Sequence, residues 1–117
     1  MATTYDDFNA FAQAVQILHA TNPGWVRLNG KDGGGDQNAW GYFKHAGRTW
    51  KVDADSHILP ILIAHEYSQE IGADPFLIDT TPTRDKLVVA PEVQQLLVQR
   101  HPTYQGQHLY IYSPRES

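Results

Sequence analysis

The side chains with the clearest chemical potential lie between residues 57 and 66. His65 and Glu66 begin the His-Glu-x-x-His pattern of zinc hydrolases, in which two histidines one turn apart bind the metal and glutamate activates water. Gln69 stands where the second histidine would be, and its neutral amide oxygen is a poor zinc ligand. The sequence therefore predicts no metal site and no cofactor, and it leaves His57, His65 and Glu66 as candidate acid or base groups.

A second polar cluster comes just before this segment and contains Asp53, Asp55, Ser56 and His57. A hydroxyl beside an imidazole could serve a nucleophile. Helix capping is the simpler explanation, because Asp and Ser side chains accept hydrogen bonds from the free N–H groups of a first turn. We interpret the cluster as the cap of the helix that follows.

The strongest binding candidate is a predicted hairpin over residues 40–53, where aromatic and basic side chains are interleaved. Such a surface can stack on bases or anchor a protein, although most of these rings would form the buried face of a hairpin. A two-residue turn at Ala46 and Gly47 would pair Phe43 with Trp50, but a positive φ is costly for alanine. A three-residue turn is therefore favoured. It sends Trp40, Tyr42, Trp50 and Val52 to one face, and Phe43 and Lys51 to the other.

The elements that must position these groups centre on a helix predicted over residues 59–71. Pro60 fits its first turn, and Gly72 fits a left-handed C-terminal position. Because the first half of this helix is apolar on nearly every side, it must be buried. A flexible, glycine-rich loop is predicted over residues 29–38, whose oxygen-bearing side chains match no calcium-binding spacing.

Two further helices and several strands complete the predicted fold. An amphipathic helix with Thr3 or Thr4 as its cap precedes the loop, and another runs from Val93 to Arg100. Strands are predicted at 76–78, 86–90 and 108–112, and the last two could be parallel or antiparallel. The pattern predicts a single α+β domain over residues 1–117, with three helices on one face of a mostly antiparallel or mixed sheet. A frayed tail is expected over 113–117.

Composition narrows the possible functions. The chain has 117 residues and a formal net charge of −4, which argues against general binding to nucleic acids or anionic membranes. No apolar run approaches the roughly 20 residues of a membrane helix. The lack of cysteine, and the acidic Asp6 and Asp7 where a secretory signal would be basic, predict a cytoplasmic protein.

The supply of aromatic side chains predicts an interface. Helices on one face of a small sheet leave the other face open, yet the hairpin and the last strand carry large side chains on both faces. Because uncovered apolar patches usually mark interfaces, we expect a protein partner or a second copy, with a homodimer favoured. The expected binding residues are Trp40, Tyr42, Phe43, Lys44, Lys51, Tyr110 and Tyr112.

These patterns favour a small binding or regulatory module that acts through protein–protein contacts, such as an inhibitor, an antitoxin-like protein or an immunity-like protein. One alternative is a small enzyme or ligand-binding domain with a pocket between the loop and the central helix, near His57, His65 and Glu66. A further alternative is a platform for single-stranded nucleic acid on the hairpin 40–51. An enclosed pocket would favour the enzyme, and an exposed surface would favour the binding module.

Overall fold

The computed structural model describes residues 3–24, 27–28, 39–104 and 109–113. The predicted loop 29–38 and residues 114–117 of the predicted tail lie outside these residues, whereas Ser113, the first residue of that tail, is hydrogen-bonded to Asp85 and Arg48. The elements, in chain order, are β1 (Thr4–Tyr5), α1 (Phe8–Thr21), β2 (Ala39–His45), β3 (Arg48–Asp53), α2 (Ile58–Ile71), β4 (Phe76–Thr80), β5 (Asp85–Val89), α3 (Pro91–Arg100) and β6 (Ile111–Tyr112).

The described strands form one mixed sheet in the order β1-β2-β3-β6-β5-β4. Strand β1 runs parallel to β2, and every other neighbouring pair is antiparallel. The hairpins β2–β3 and β4–β5 are joined by β6, which pairs with β3 on one side and with β5 on the other. The α+β prediction is confirmed. Since β5 and β6 are antiparallel, α3 does not connect parallel strands.

The turn of the first hairpin contradicts the favoured register. Ala46 has φ 53° and Gly47 has φ 73°, so both residues of a two-residue turn are left-handed, and Phe43 lies opposite Trp50. The left-handed alanine costs about 1–2 kcal/mol. This register buries both rings completely, and burial of one such side chain contributes about 1.5–3 kcal/mol. The packing of the rings therefore outweighs the strain in the turn.

A β-bulge changes the position of Trp40. Ala39 pairs with Asp53 and Gly41 with Val52, so Trp40 is an extra residue in β2 and escapes the simple alternation of faces. Its ring stacks on Tyr5 at a centroid distance of 6.1 Å and meets the edge of Phe11 at 5.5 Å. Trp40 is therefore part of the core beside α1.

The helices pack in sequence, with α2 contacting both α1 and α3. On α1, the rings of Phe8 and Phe11 lie 5.5 and 5.3 Å from the ring of Phe43. Asp7 caps α1 by accepting from the N–H of Ala10, whereas the predicted caps Thr3 and Thr4 precede the helix and Thr4 belongs to β1. The central helix agrees with its prediction, and Gly72 ends it with φ 74°.

The polar cluster before α2 has three separate roles. The Nδ1 atom of His57 caps the helix by accepting from the N–H of Leu59 at 3.2 Å. Asp53 accepts from the N–H of Asp55 at 2.8 Å and closes a local turn. Ser56 is fully buried, and its hydroxyl bonds the N–H and the carbonyl of Tyr110 at 3.0 and 3.2 Å. The predicted cap residue Ser56 therefore attaches the last strand to the core.

The burial of α2 generates a stability prediction. Ile63 is 4% exposed, and Ile71 on the same helix is 63% exposed. Ile63→Asp would bury an unpaired charge, which costs several kcal/mol against a total stability of roughly 5–15 kcal/mol. We expect Ile63→Asp to lose cooperative folding. The measurement is circular dichroism recorded during a urea titration. Ile71→Asp is the control and should melt like the wild type; equal melting of both variants would contradict the assignment of the core.

Candidate functional site

The outer face of the sheet carries an alternating row of aromatic and basic side chains. Tyr42 lies opposite Lys51, and Lys51 lies opposite Tyr112. Tyr112 is in turn opposite Lys86. Directly paired residues project to the same face, and the residues beside this row, including Val52, Ile111 and Leu87, project to the buried face. The row therefore crosses four strands on the side of the sheet away from the core.

Tyr112 is the centre of this surface. Its ring stacks on that of Tyr110 at a centroid distance of 6.0 Å, with 18° between the planes, and the guanidinium of Arg84 lies 4.9 Å from its centroid. Burial raises the pKa of the Tyr112 phenol, and the nearby Asp53 carboxylate and Tyr110 add to this, while Arg84 opposes it. The phenol therefore stays neutral and can donate a hydrogen bond at physiological pH.

The charge of this face is opposite to that of the chain. Four cations belong to it by register or ring contact, and they are Lys44, Lys51, Arg84 and Lys86. Two carboxylates lie among these cations. Asp53 is beside Tyr110, since its backbone N–H donates to the Tyr110 carbonyl, and the Asp79 carboxylate lies 3.7 Å from the Lys86 amine. We refer to the three tyrosines 42, 110 and 112 together with the four cations as the basic face.

The structure brings together five of the seven predicted binding residues and removes two. Tyr42, Lys44, Lys51, Tyr110 and Tyr112 share the basic face. Trp40 is 6% exposed and Phe43 is 0% exposed, so the prediction that they form part of an interface is wrong. The bulge turns the first ring inward, and the two-residue turn does the same for the second.

Sequence reasoning misplaced one cation and missed two. Arg48, one of the basic residues of the predicted hairpin 40–53, bonds Asp85 at 2.7 Å and Ser113 at 2.9 Å, so it ties β3 to β5 and to the end of β6. Arg84 and Lys86 were not considered. Lys86 could have been found from alternation, because it precedes the buried Leu87, whereas the position of Arg84 depends on the turn between β4 and β5.

The loop side of the predicted alternative pocket lies outside the described residues, and two of its candidates, His65 and Glu66, line an open groove between α1 and α2. It has a volume of about 480 Å³ and reaches His65 and Glu66. His65, a candidate acid or base, is only 7% exposed. Its Nε2 atom lies 2.7 Å from the Asn9 side-chain oxygen, and its Nδ1 atom lies 3.1 Å from the Gln16 amide nitrogen. Both ring nitrogens are therefore engaged within the protein.

The three acid or base candidates do not converge. Glu66 forms an ion pair with Arg100. His57 is not among the residues that line the groove, and its ring lies 6.0 Å from that of Tyr104. Among the described residues no three His, Asp or Glu side chains are placed to hold a metal ion. These three candidates therefore do not form an assembled acid–base pair.

Comparison of the chain with protein families, with curated proteins and with solved structures gave no match. Within the described part of the chain, no helix combines the length and apolar character needed to span a membrane. The basic face and the groove are therefore the two features of the molecule that bear on its function.

The environment of His57 predicts a dependence of stability on pH. Burial lowers the pKa of His57, and the positive charges of Arg27 and His101 lower it further. A histidine with a lowered pKa contributes stability above its unfolded value of about 6.5 and loses it as the pH falls through the folded value. The free energy of unfolding of the wild type, measured in urea, should therefore fall more steeply below about pH 6.5 than that of His57→Asn. This variant keeps a capping oxygen. Parallel pH profiles would contradict this role.

Proposed function

We propose that this protein is a binding module whose basic face docks on an acidic surface of another protein. The observation that carries the proposal is the row of tyrosines and cations on the open side of the sheet, in a chain whose net charge is −4. Tyrosine and arginine are enriched in protein interfaces, and flanking charges steer a partner of opposite sign. An inhibitor, an antitoxin-like protein or an immunity-like protein would use such a face.

The arrangement of the tyrosines favours a protein over a nucleic acid. A base stacks on an aromatic ring whose face is free. The ring of Tyr112 already has the guanidinium of Arg84 near it and the ring of Tyr110 stacked on it. In addition, Asp79 pairs with Lys86, and the remaining acidic charge of the chain would repel a phosphate backbone.

The charge of the face also favours a different protein over a second copy at this surface. In a symmetric dimer the same patch meets itself. Lys44, Lys51 and Arg84 would then approach their own copies across the interface, and like charges at short distance are unfavourable. An acidic partner has no such conflict.

The basic face should bind an acidic, partly apolar probe. We expect a fluorescent peptide of alternating Glu and Leu to bind the wild type, measured by anisotropy at low and moderate salt. Replacing Lys44 and Lys86 by Gln should weaken binding by about tenfold, equivalent to about 1.4 kcal/mol.

A matched control changes the net charge equally but elsewhere. Gln13→Glu with Gln94→Glu alters two exposed helical residues and should leave the affinity within about twofold, because distant surface charges are screened. Equal losses in the two double variants would show that only net charge matters and would contradict a specific face. If an oligothymidylate bound more tightly than the acidic peptide and with a steep dependence on salt, the basic face would instead be a site for single-stranded nucleic acid.

A further inference from the structure

Strand β4 leaves one side open at the end of the sheet. It pairs with β5, and no other described strand lies beyond it. The opposite edge, β1, has two residues, whereas β4 has five. Leu77 and Ile78 on β4 are 51% and 45% exposed, which places them among the most exposed large apolar residues described. A long, apolar edge of this kind is a template for pairing with another strand.

The hydrogen bonds at the two ends of the hairpin show which backbone groups point outward. The N–H of Ala90 donates to the carbonyl of Pro75, and the N–H of Thr81 donates to the carbonyl of Arg84. Bonded pairs alternate along an antiparallel ladder, so Leu77 and Asp79 direct their backbone groups to β5. The residues between them direct theirs to the open side.

Ile78 and Thr80 are the outward residues whose N–H groups are available. The N–H of Phe76 also points outward, but it donates to the Asp74 carboxylate at 2.9 Å. No partner for the N–H of Ile78 or Thr80 occurs among the described residues. Charge does little to protect this edge, because Asp79 lies 3.7 Å from the Lys86 amine and is partly neutralised. The edge thus offers donors, acceptors and apolar side chains together.

We propose that β4 pairs antiparallel with β4 of a second copy, with Leu77 opposite Leu77 of that copy. A two-fold axis perpendicular to the sheet keeps each side chain on its own face, and it places Phe76 opposite Ile78. Each Ile78 N–H then donates to a Phe76 carbonyl. Centring the pair on Ile78 would set Asp79 against Leu77, and centring it on Asp79 would oppose two carboxylates. The register centred on Leu77 is therefore the most complementary.

This dimer would differ from one formed through the basic face. The perpendicular axis continues the sheet from one copy into the other and leaves both basic faces on the same side. The pairing depends on β4 alone, so it holds or fails independently of the partner proposed for that face.

A single introduced thiol tests the register, because the chain contains no cysteine. Directly opposed residues that do not share hydrogen bonds have Cα atoms about 4.5 Å apart, which suits a disulfide. Leu77→Cys should therefore form a disulfide-linked dimer on mild oxidation. In Asp79→Cys the two thiols would be separated by four residues along the strands, about 13 Å, and should remain uncoupled. Equal cross-linking of both variants, or none with Leu77→Cys, would overturn the register.

Sedimentation over a concentration series tests the association without a cross-link. The wild type should change from one chain to two as concentration rises, and it should do so in low and high salt, because backbone bonds and apolar contacts hold the pair. Leu77→Lys should shift the midpoint at least tenfold upward. Val98→Lys replaces a residue that is 48% exposed on α3 and should behave like the wild type. A wild type that remains a single chain throughout would overturn the proposal, as would equal effects of the two lysines.

Discussion

The pairing of β6 with both hairpins is the constraint on which the rest of the sheet depends. Only two residues form this strand, yet Ile111 lies between Val52 on β3 and Leu87 on β5. Its flanks are fixed from outside the strand, by the Ser56 hydroxyl on Tyr110 and by the N–H of Ser113 on the carbonyl of Asp85. A short strand gains little from its own ladder, so these flanking bonds position it. Without β6 the two hairpins would share no described strand neighbour.

The same strand assembles the basic face. Tyr112 lies between Lys51 and Lys86, which belong to different hairpins, so the alternating row exists only when β6 is inserted. The cation on β5 and the cation on β3 would otherwise lie on separate edges. Because β6 follows both hairpins in the chain, residues from three separate segments must come together to form the surface. The fold and the basic face therefore both depend on the insertion of β6. Loss of the buried Ser56 hydroxyl should affect both.

Much of the fold was predictable from local signals, whereas the site was only partly predictable. Gly72 at the end of the helix and the apolar residues of its first half identified α2, since these signals are local in sequence. The predicted register of the first hairpin was wrong because the burial of Phe43 and Trp50 decided between the two turns. That burial depends on α1. The bulge at Trp40 has one local signal, the glycine at position 41, because an isolated glycine within a strand often marks a bulge. Tyr42, Lys44 and Lys51 share the outer face of the first hairpin, but Arg84 reaches Tyr112 only because β5 pairs with the distant strand β6.

The histidine in the groove shows why residue type alone was a poor guide to chemistry. A ring nitrogen near a side-chain carbonyl oxygen must donate, and one near an amide nitrogen must accept. His65 meets Asn9 and Gln16 in this way, so both of its ring nitrogens have a polar partner. Gln69 also bonds Asn9, which links α1 to α2 through a small polar network. A satisfied network of this kind fixes the relative position of two helices. In the groove this imidazole therefore holds α1 against α2 through both of its ring nitrogens.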